Sequence, residues 1–268
     1  MRAWRGPAAS LSPLVGYLGG VTRVTSLHSA AATYQAEVLL DNPLVLWPLD
    51  VDGRDVSGNE RDLTTVSESF LTEAPAPWPA CLDLNGSTEY AEYATPTALN
   101  LAGPLTYEAW VRRPAQWADS DLGAQVIGLN DRVGIRQDGN ELRNVAFVLR
   151  EDDATTIGQG NWGLSAELDA DDGEVWVHVV GVYDRDLDTQ RIFINGSAAG
   201  TASTGESPAA ATNVTSPFSI GCQYDQPAVS GATRRRFMKG QVAWVAIYGS
   251  ALSAARIQAH YDKRGVTS

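Results

Sequence analysis

The chain has 268 residues, enough to bury a sizeable core within one domain. Its 44% hydrophobic and 19% charged residues match an ordinary globular protein, and no apolar run approaches the roughly 18 residues of a membrane span. A net charge of −12 argues against a nucleic-acid partner, whose affinity depends on neutralising phosphates.

Residues 1–33 differ from the rest of the chain. Pro7, Pro13, Gly16, Gly19 and Gly20 punctuate a mildly apolar segment with neither helical nor strand period. Arg2, Arg5 and the small run Ala30-Ala31-Ala32 have features of a secretory signal, but Pro13, Gly16 and Arg23 break the apolar stretch between them. The segment reads as an N-terminal extended arm, ordered by packing on its own domain or on a neighbouring subunit. Residues 34–268 read as a single domain.

Tyr34–Asp41 is a short helix candidate stopped by Asn42-Pro43, and Leu44–Leu49 is a first strand whose Pro48 marks an edge or a bulge. Asp55-Val-Ser-Gly-Asn59 is turn chemistry. Strands follow at Cys81–Leu84, Glu89–Tyr93, Leu105–Arg113, Gln125–Leu129, Val133–Arg136 and Asn144–Arg150. An acidic loop, Glu167–Glu174, leads into the strand ending at Asp184. There Val175, Val177, Val179 and Tyr183 alternate with Trp176, His178, Val180 and Val182, so both faces are apolar and the strand is central. Thr189–Asn195 pairs with it, and Asn195-Gly196 favours a type I′ turn because both residues tolerate positive φ. Ala198–Asn213 reads as loop. Pro217–Gly221 and Gly240–Tyr248 are the last strands, and a helix capped by Ser250 runs to about Tyr261. About a dozen short strands with little helix predict an all-β fold, a two-sheet antiparallel jelly-roll sandwich with short flanking helices. Cys81 and Cys222 lie on strands. They permit one cross-sheet bridge or two buried free thiols.

An ordered series of motifs resembles one family. Asn42-Pro-Leu-Val-Leu-Trp-Pro-Leu-Asp50, Leu84-Asn-Gly-Ser-Thr-Glu-Tyr90 and Thr106-Tyr-Glu-Ala-Trp-Val111 open it. Trp176-Val-His-Val-Val-Gly-Val-Tyr-Asp184, Arg191-Ile-Phe-Ile-Asn-Gly196 and Val245-Ala-Ile-Tyr-Gly-Ser-Ala-Leu-Ser253 complete it. The chain is thereby similar to the laminin-G-like branch of the concanavalin A-like lectin/glucanase superfamily. Its opening also resembles copies found in bacteriophage minor tail and other virion proteins. The resemblance implies the sandwich fold and a role in sugar or protein binding.

The family often holds calcium through an Asp-Gly-Ser-x-Asp strand and an Asp-Glu pair within the last strand. Here Asn85, Glu89, Ala243 and Trp244 stand at those positions, so neither calcium nor any other cofactor is expected. Asp169, Asp171 and Asp172 read as a solvated acidic turn. Glu167-Leu-Asp169-Ala-Asp171 has the spacing of a glucanase carboxylate set but lies in a turn, where its side chains should face water, so no catalytic residue is assigned. His178, mid-strand, reads as a hydrogen-bonded core residue. Arg234-Arg235-Arg236 reads as a solvated or salt-bridged edge. The remaining candidates are loop aromatics, and Trp117, Trp162 and Tyr224 are the predicted ligand-binding residues because sugars stack on exposed rings. Trp47, Trp110, Trp176 and Trp244 are expected in the core or on the sheet surface. The resulting expectation is a non-enzymatic virion protein of a tail or capsid surface. It would be multicopy or homo-oligomeric, would join other virion subunits through the arm, and would contact host-surface glycans, with no membrane or nucleic-acid partner. The alternative is a secreted bacterial carbohydrate-binding or glucanase-like module.

Overall fold

The computed structural model describes residues 33–66, 70–71, 77–78, 80–99, 103–113, 123–129, 133–137, 144–150, 161–168, 175–203, 216–224 and 234–264. In chain order the strands begin with β1 (Val45–Trp47), β2 (Thr65–Val66), β3 (Phe70–Leu71), β4 (Cys81–Asn85), β5 (Ala91–Tyr93) and β6 (Leu105–Arg112). Next come β7 (Gln125–Leu129), β8 (Val133–Gln137), β9 (Asn144–Arg150), β10 (Asn161–Glu167), β11 (Trp176–Asp184) and β12 (Thr189–Ile194). The last are β13 (Ser197–Ser203), β14 (Phe218–Ile220), β15 (Gln223–Tyr224), β16 (Arg234–Arg235) and β17 (Lys239–Tyr248). A short helix α1 spans residues 33–39 and a second, α2, spans Ala254–Asp262.

Two antiparallel sheets form the body. One runs β13-β12-β11-β6-β17-β4-β3, with β1 also paired to β17; the other runs β10-β9-β8-β7-β14-β5-β2. A two-stranded ribbon, β15-β16, stands apart. This is the predicted sandwich.

The alternation in β11 and β6 explains how the sheets are used. Val177, Val179 and Tyr183, with Leu105, Tyr107, Ala109 and Val111, face the second sheet and enter one large core. Trp176, Val180, Val182 and Trp110 face the other way, into a second core that α1 and α2 cover with Tyr34, Val38 and Ile257. The central sheet is therefore buried on both faces, as its near-continuous apolar strands require.

β17 carries the main irregularity. Its first half pairs with β4 and its second half with β1, and the register with β6 shifts between Ala243 and Ala246. Trp244 sits in that break at φ 50°, with its amide donating to the Pro48 carbonyl. The bulge anticipated near Pro48 is thus carried by the partner strand.

Several expectations are corrected. Ser253, not Ser250, caps α2: its side chain accepts from the Arg256 amide, while the Ser250 carbonyl accepts from the Thr106 hydroxyl. Ala198–Ser203, read as loop, belongs to edge strand β13. The Asn195-Gly196 turn, with φ of 51° and 80°, returns the chain into register regardless of the weak strand propensity of Ala, Ser and Gly. Asn161–Glu167, also unassigned, is β10 and pairs along its whole length with β9. Of the two states left open for the cysteines, the structure has the buried free thiols: Cys81 and Cys222 are unpaired with each other, and burial pushes each thiol up to about 12. Of the predicted arm, residues 1–33, residues 1–32 lie outside the described residues and Thr33 opens α1.

Gly181 in β11 marks a close approach of the two sheets. A Cβ there would run into the Phe147 ring, contributed by β9. Gly181→Ala should therefore destabilise the fold by about 1–3 kcal/mol through overpacking, measured by urea denaturation.

Candidate functional site

Two clusters of polar and aromatic side chains compete for the role of functional site. The first is built on Glu108, which β6 turns toward the helix-covered face of the central sheet, where it is fully buried. Its Oε1 accepts from the Tyr34 hydroxyl at 2.7 Å and from His178 Nε2 at 2.7 Å. Its Oε2 accepts from the Tyr248 hydroxyl at 2.7 Å and from His260 Nδ1 at 3.0 Å. His260 also reaches Asp41 through Nε2 at 2.8 Å, and Arg256 bridges Asp41 and Glu37.

Burial alone would raise the Glu108 carboxyl. The His260 charge and the hydrogen bonds from His178 and His260 outweigh it and hold the group well below the usual carboxylate range. For His260, burial opposes the charged form, but the Glu108 charge and the bonds to Glu108 and Asp41 prevail and raise it. Burial and the Glu108 charge push the Tyr34 and Tyr248 hydroxyls up, so both stay protonated as donors. Tyr34 is further set among Trp78, Trp110 and Trp244, with ring centroids 5.0, 6.1 and 5.2 Å away.

Glu108, His178 and His260 are each 0% exposed, so this carboxylate is closed off from solvent in the structure. The cluster ties α1, β6, β11, β17 and α2 together. His178 is the hydrogen-bonded core residue that its position in the strand suggested.

The family's calcium positions are committed elsewhere. Asn85 Oδ1 accepts from the Ser87 amide, the Ser87 hydroxyl and the Thr88 amide, closing a turn on itself. Ala243 and Trp244 are buried in the helix-covered core. These residues do not fit a hard cation that needs several free oxygens. Among the described residues no three His, Cys, Asp or Glu side chains gather as metal ligands. Glu167 ends β10 with its side chain exposed; Asp169, Asp171 and Asp172 lie outside the described residues.

The second cluster is at the surface. Glu92 in β5 is buried, and Arg234 of the ribbon lies on it with Nε to Oε1 at 2.7 Å and Nη2 to Oε2 at 2.8 Å. This two-point contact fixes the plane of the guanidinium. Its Cζ stands 4.2 Å from the Tyr90 ring centroid and 5.4 Å from that of Tyr224. Phe237 extends the surface, with its ring 6.5 Å from Tyr90. All three rings are half-buried, and the Arg234 side chain is 34% exposed. Aromatic faces beside a fixed planar donor suit stacking recognition of a ring with polar substituents.

Of the predicted ligand-binding residues, Tyr224 alone is in this rim. Trp162 pairs with Leu149 on a strand rather than a loop, and four strands separate β10 from β5 in the sheet, so the two are not neighbours. Trp117 lies outside the described residues. Tyr90, Arg234 and Phe237 were missed. The signal for them was the arginine run itself, flanked by Phe237 and reaching back to Glu92, a pairing no local pattern reveals.

A family model described as the concanavalin A-like lectin/glucanases superfamily matches residues 85–258, well over half of the chain. The chain belongs to this superfamily. Among solved structures it is similar to the binding domain of Paraclostridial Mosquitocidal Protein 1, with TM-score 0.60 and 16% identity over 83% of this chain and 52% of that one. It is also similar to the botulinum neurotoxin serotype G binding domain, with TM-score 0.60 and 16% identity over 82% and 50%. A third is the botulinum neurotoxin DC binding domain in complex with SialylT, with TM-score 0.57 and 14% identity over 84% and 52%. The chain spans about half the length of these structures, and at such identities the likeness is one of fold. No curated protein matches it. Among the described residues no helix of this superfamily member is long and apolar enough to cross a membrane.

The Glu108 cluster makes two predictions. Glu108→Ala should cost about 3–5 kcal/mol, because it leaves buried donors unpaired, and chemical denaturation measures it. The stability supplied by Glu108 is present above its ordinary value of 4.5 and is lost as pH falls through its depressed one. That supplied by His260 is present below its ordinary 6.5 and is lost as pH rises through its raised one. A melting-temperature profile should therefore be highest between those ordinary values and fall on both sides, and Glu108→Gln should flatten it.

Proposed function

We propose that this chain is a non-enzymatic recognition subunit of a bacteriophage virion, a minor tail or capsid-surface protein. Its sandwich would contact host-surface glycans. The observation that carries the binding reading is the Tyr90–Arg234–Tyr224 rim, a preformed stacking surface on a rigid frame. The buried Glu108 cluster is sealed, which supports recognition rather than hydrolysis. The phage-like opening, Asn42–Asp50, supports the virion setting, with residues 1–33 as the arm that meets neighbouring subunits. Multiple copies on one particle would turn modest single-site affinity into firm attachment. The named ligand of a neurotoxin relative, SialylT, is consistent with a sugar-binding sandwich but belongs to that protein.

A secreted carbohydrate-binding module would share this rim and differ at its N-terminus. Mass spectrometry of the native protein distinguishes them: an intact Met1 fits the virion, and a start near Ala32 fits export.

On a glycan array the chain should bind a restricted set of glycans, and Tyr90→Ala or Tyr224→Ala should lower the signal at least about tenfold. A reducing-sugar assay on β-glucans should stay at background. Release of sugar that Glu167→Gln abolishes would contradict the non-enzymatic reading.

A further inference from the structure

Resting on the glycan-binding reading of the rim, we infer that its ligand is an acidic sugar, whose carboxylate meets Arg234 while its ring lies against Tyr224 or Tyr90. Arg234 spends Nε and Nη2 on Glu92, and its Nη1 makes no hydrogen bond to a described residue. The group is held in plane by the buried carboxylate beneath it and flanked by two rings, so its outer edge is a preorganised donor pair. Guanidinium offers only donors, whereas a neutral sugar hydroxyl both gives and accepts; a carboxylate uses the fork fully.

Charge placement agrees. Arg234, Arg235, Arg236 and Lys239 fall within six residues that contain no acid, in a chain whose net charge is −12. Arg236 is built into the frame: its Nη1 donates to Gln223 at 2.9 Å and its carbonyl accepts from the Gln125 amide at 3.0 Å. The Arg234 charge is met by Glu92, and the basic side chains that follow it in sequence keep the local balance beside the rings more positive than that of the chain as a whole. A sialic or uronic acid combines the two features that the rim presents, a ring with an apolar face and a carboxylate.

Isothermal titration calorimetry on the full chain tests this with 3′-sialyllactose against lactose, and trigalacturonate against its methyl ester. One acid should bind at least about tenfold tighter than its neutral counterpart and weaken with added salt. Arg234→Lys keeps the charge but loses the fork, and Tyr224→Ala removes a ring. Each should weaken the acid about tenfold, with Tyr224→Ala deciding if the arginine variant does not fold. Equal binding of acid and neutral partners would overturn the acidic-sugar inference and leave the glycan reading standing. Absence of binding by all four, with a blank glycan array, would overturn both. Acid-selective binding that neither variant disturbs would place the ligand elsewhere and overturn the inference.

Discussion

One buried carboxylate organises this molecule. An unpaired charge in the position of Glu108 would be prohibitive, and the fold meets that demand with donors from four parts of the chain: Tyr34, His178, Tyr248 and His260. These residues lie on α1, two central strands and α2, so satisfying the carboxylate also seats both helices on the sheet. The tryptophans around Tyr34 exclude water from the same place and strengthen each of those bonds. The polar cluster and the second apolar core are one structural device.

That device determines where recognition can occur. The central sheet has one face against the second sheet and the other under helices, leaving it no open surface in the middle. The β15-β16 ribbon lies outside both sheets. The ribbon rests on Glu92 through Arg234, so a group at the surface inherits the rigidity of the sheet below. A stacked guanidinium of this kind loses little freedom on meeting a ligand, which is the advantage of a preformed site.

The strands with strong period-2 patterns were legible from sequence. The two faces of Trp176–Asp184 and of Leu105–Arg112 are divided as their alternation dictates, and Gln125–Leu129 and Asn144–Arg150 have the predicted bounds. β13 and β10 were not, because small or mixed residues form strands there by pairing with a neighbour rather than by their own preference. The histidine in β11 announced itself as structural, but nothing nearby in sequence shows that Glu108 is its partner, 70 residues away. The rim was half legible: Tyr224 stood out as a loop aromatic, whereas Arg234 needed the contact with Glu92, 142 residues earlier, before it differed from any surface arginine.

The division between a sealed carboxylate and an open rim can be put to chemical-shift mapping of backbone amides during titration with sialylated and uronic oligosaccharides. Shifts should be confined to residues around Tyr90, Glu92, Tyr224 and Arg234–Phe237, with Glu108, His178 and His260 unmoved. Shifts centred on Glu108 and the histidines would refute that division, since they would mean that the buried carboxylate opens to a ligand.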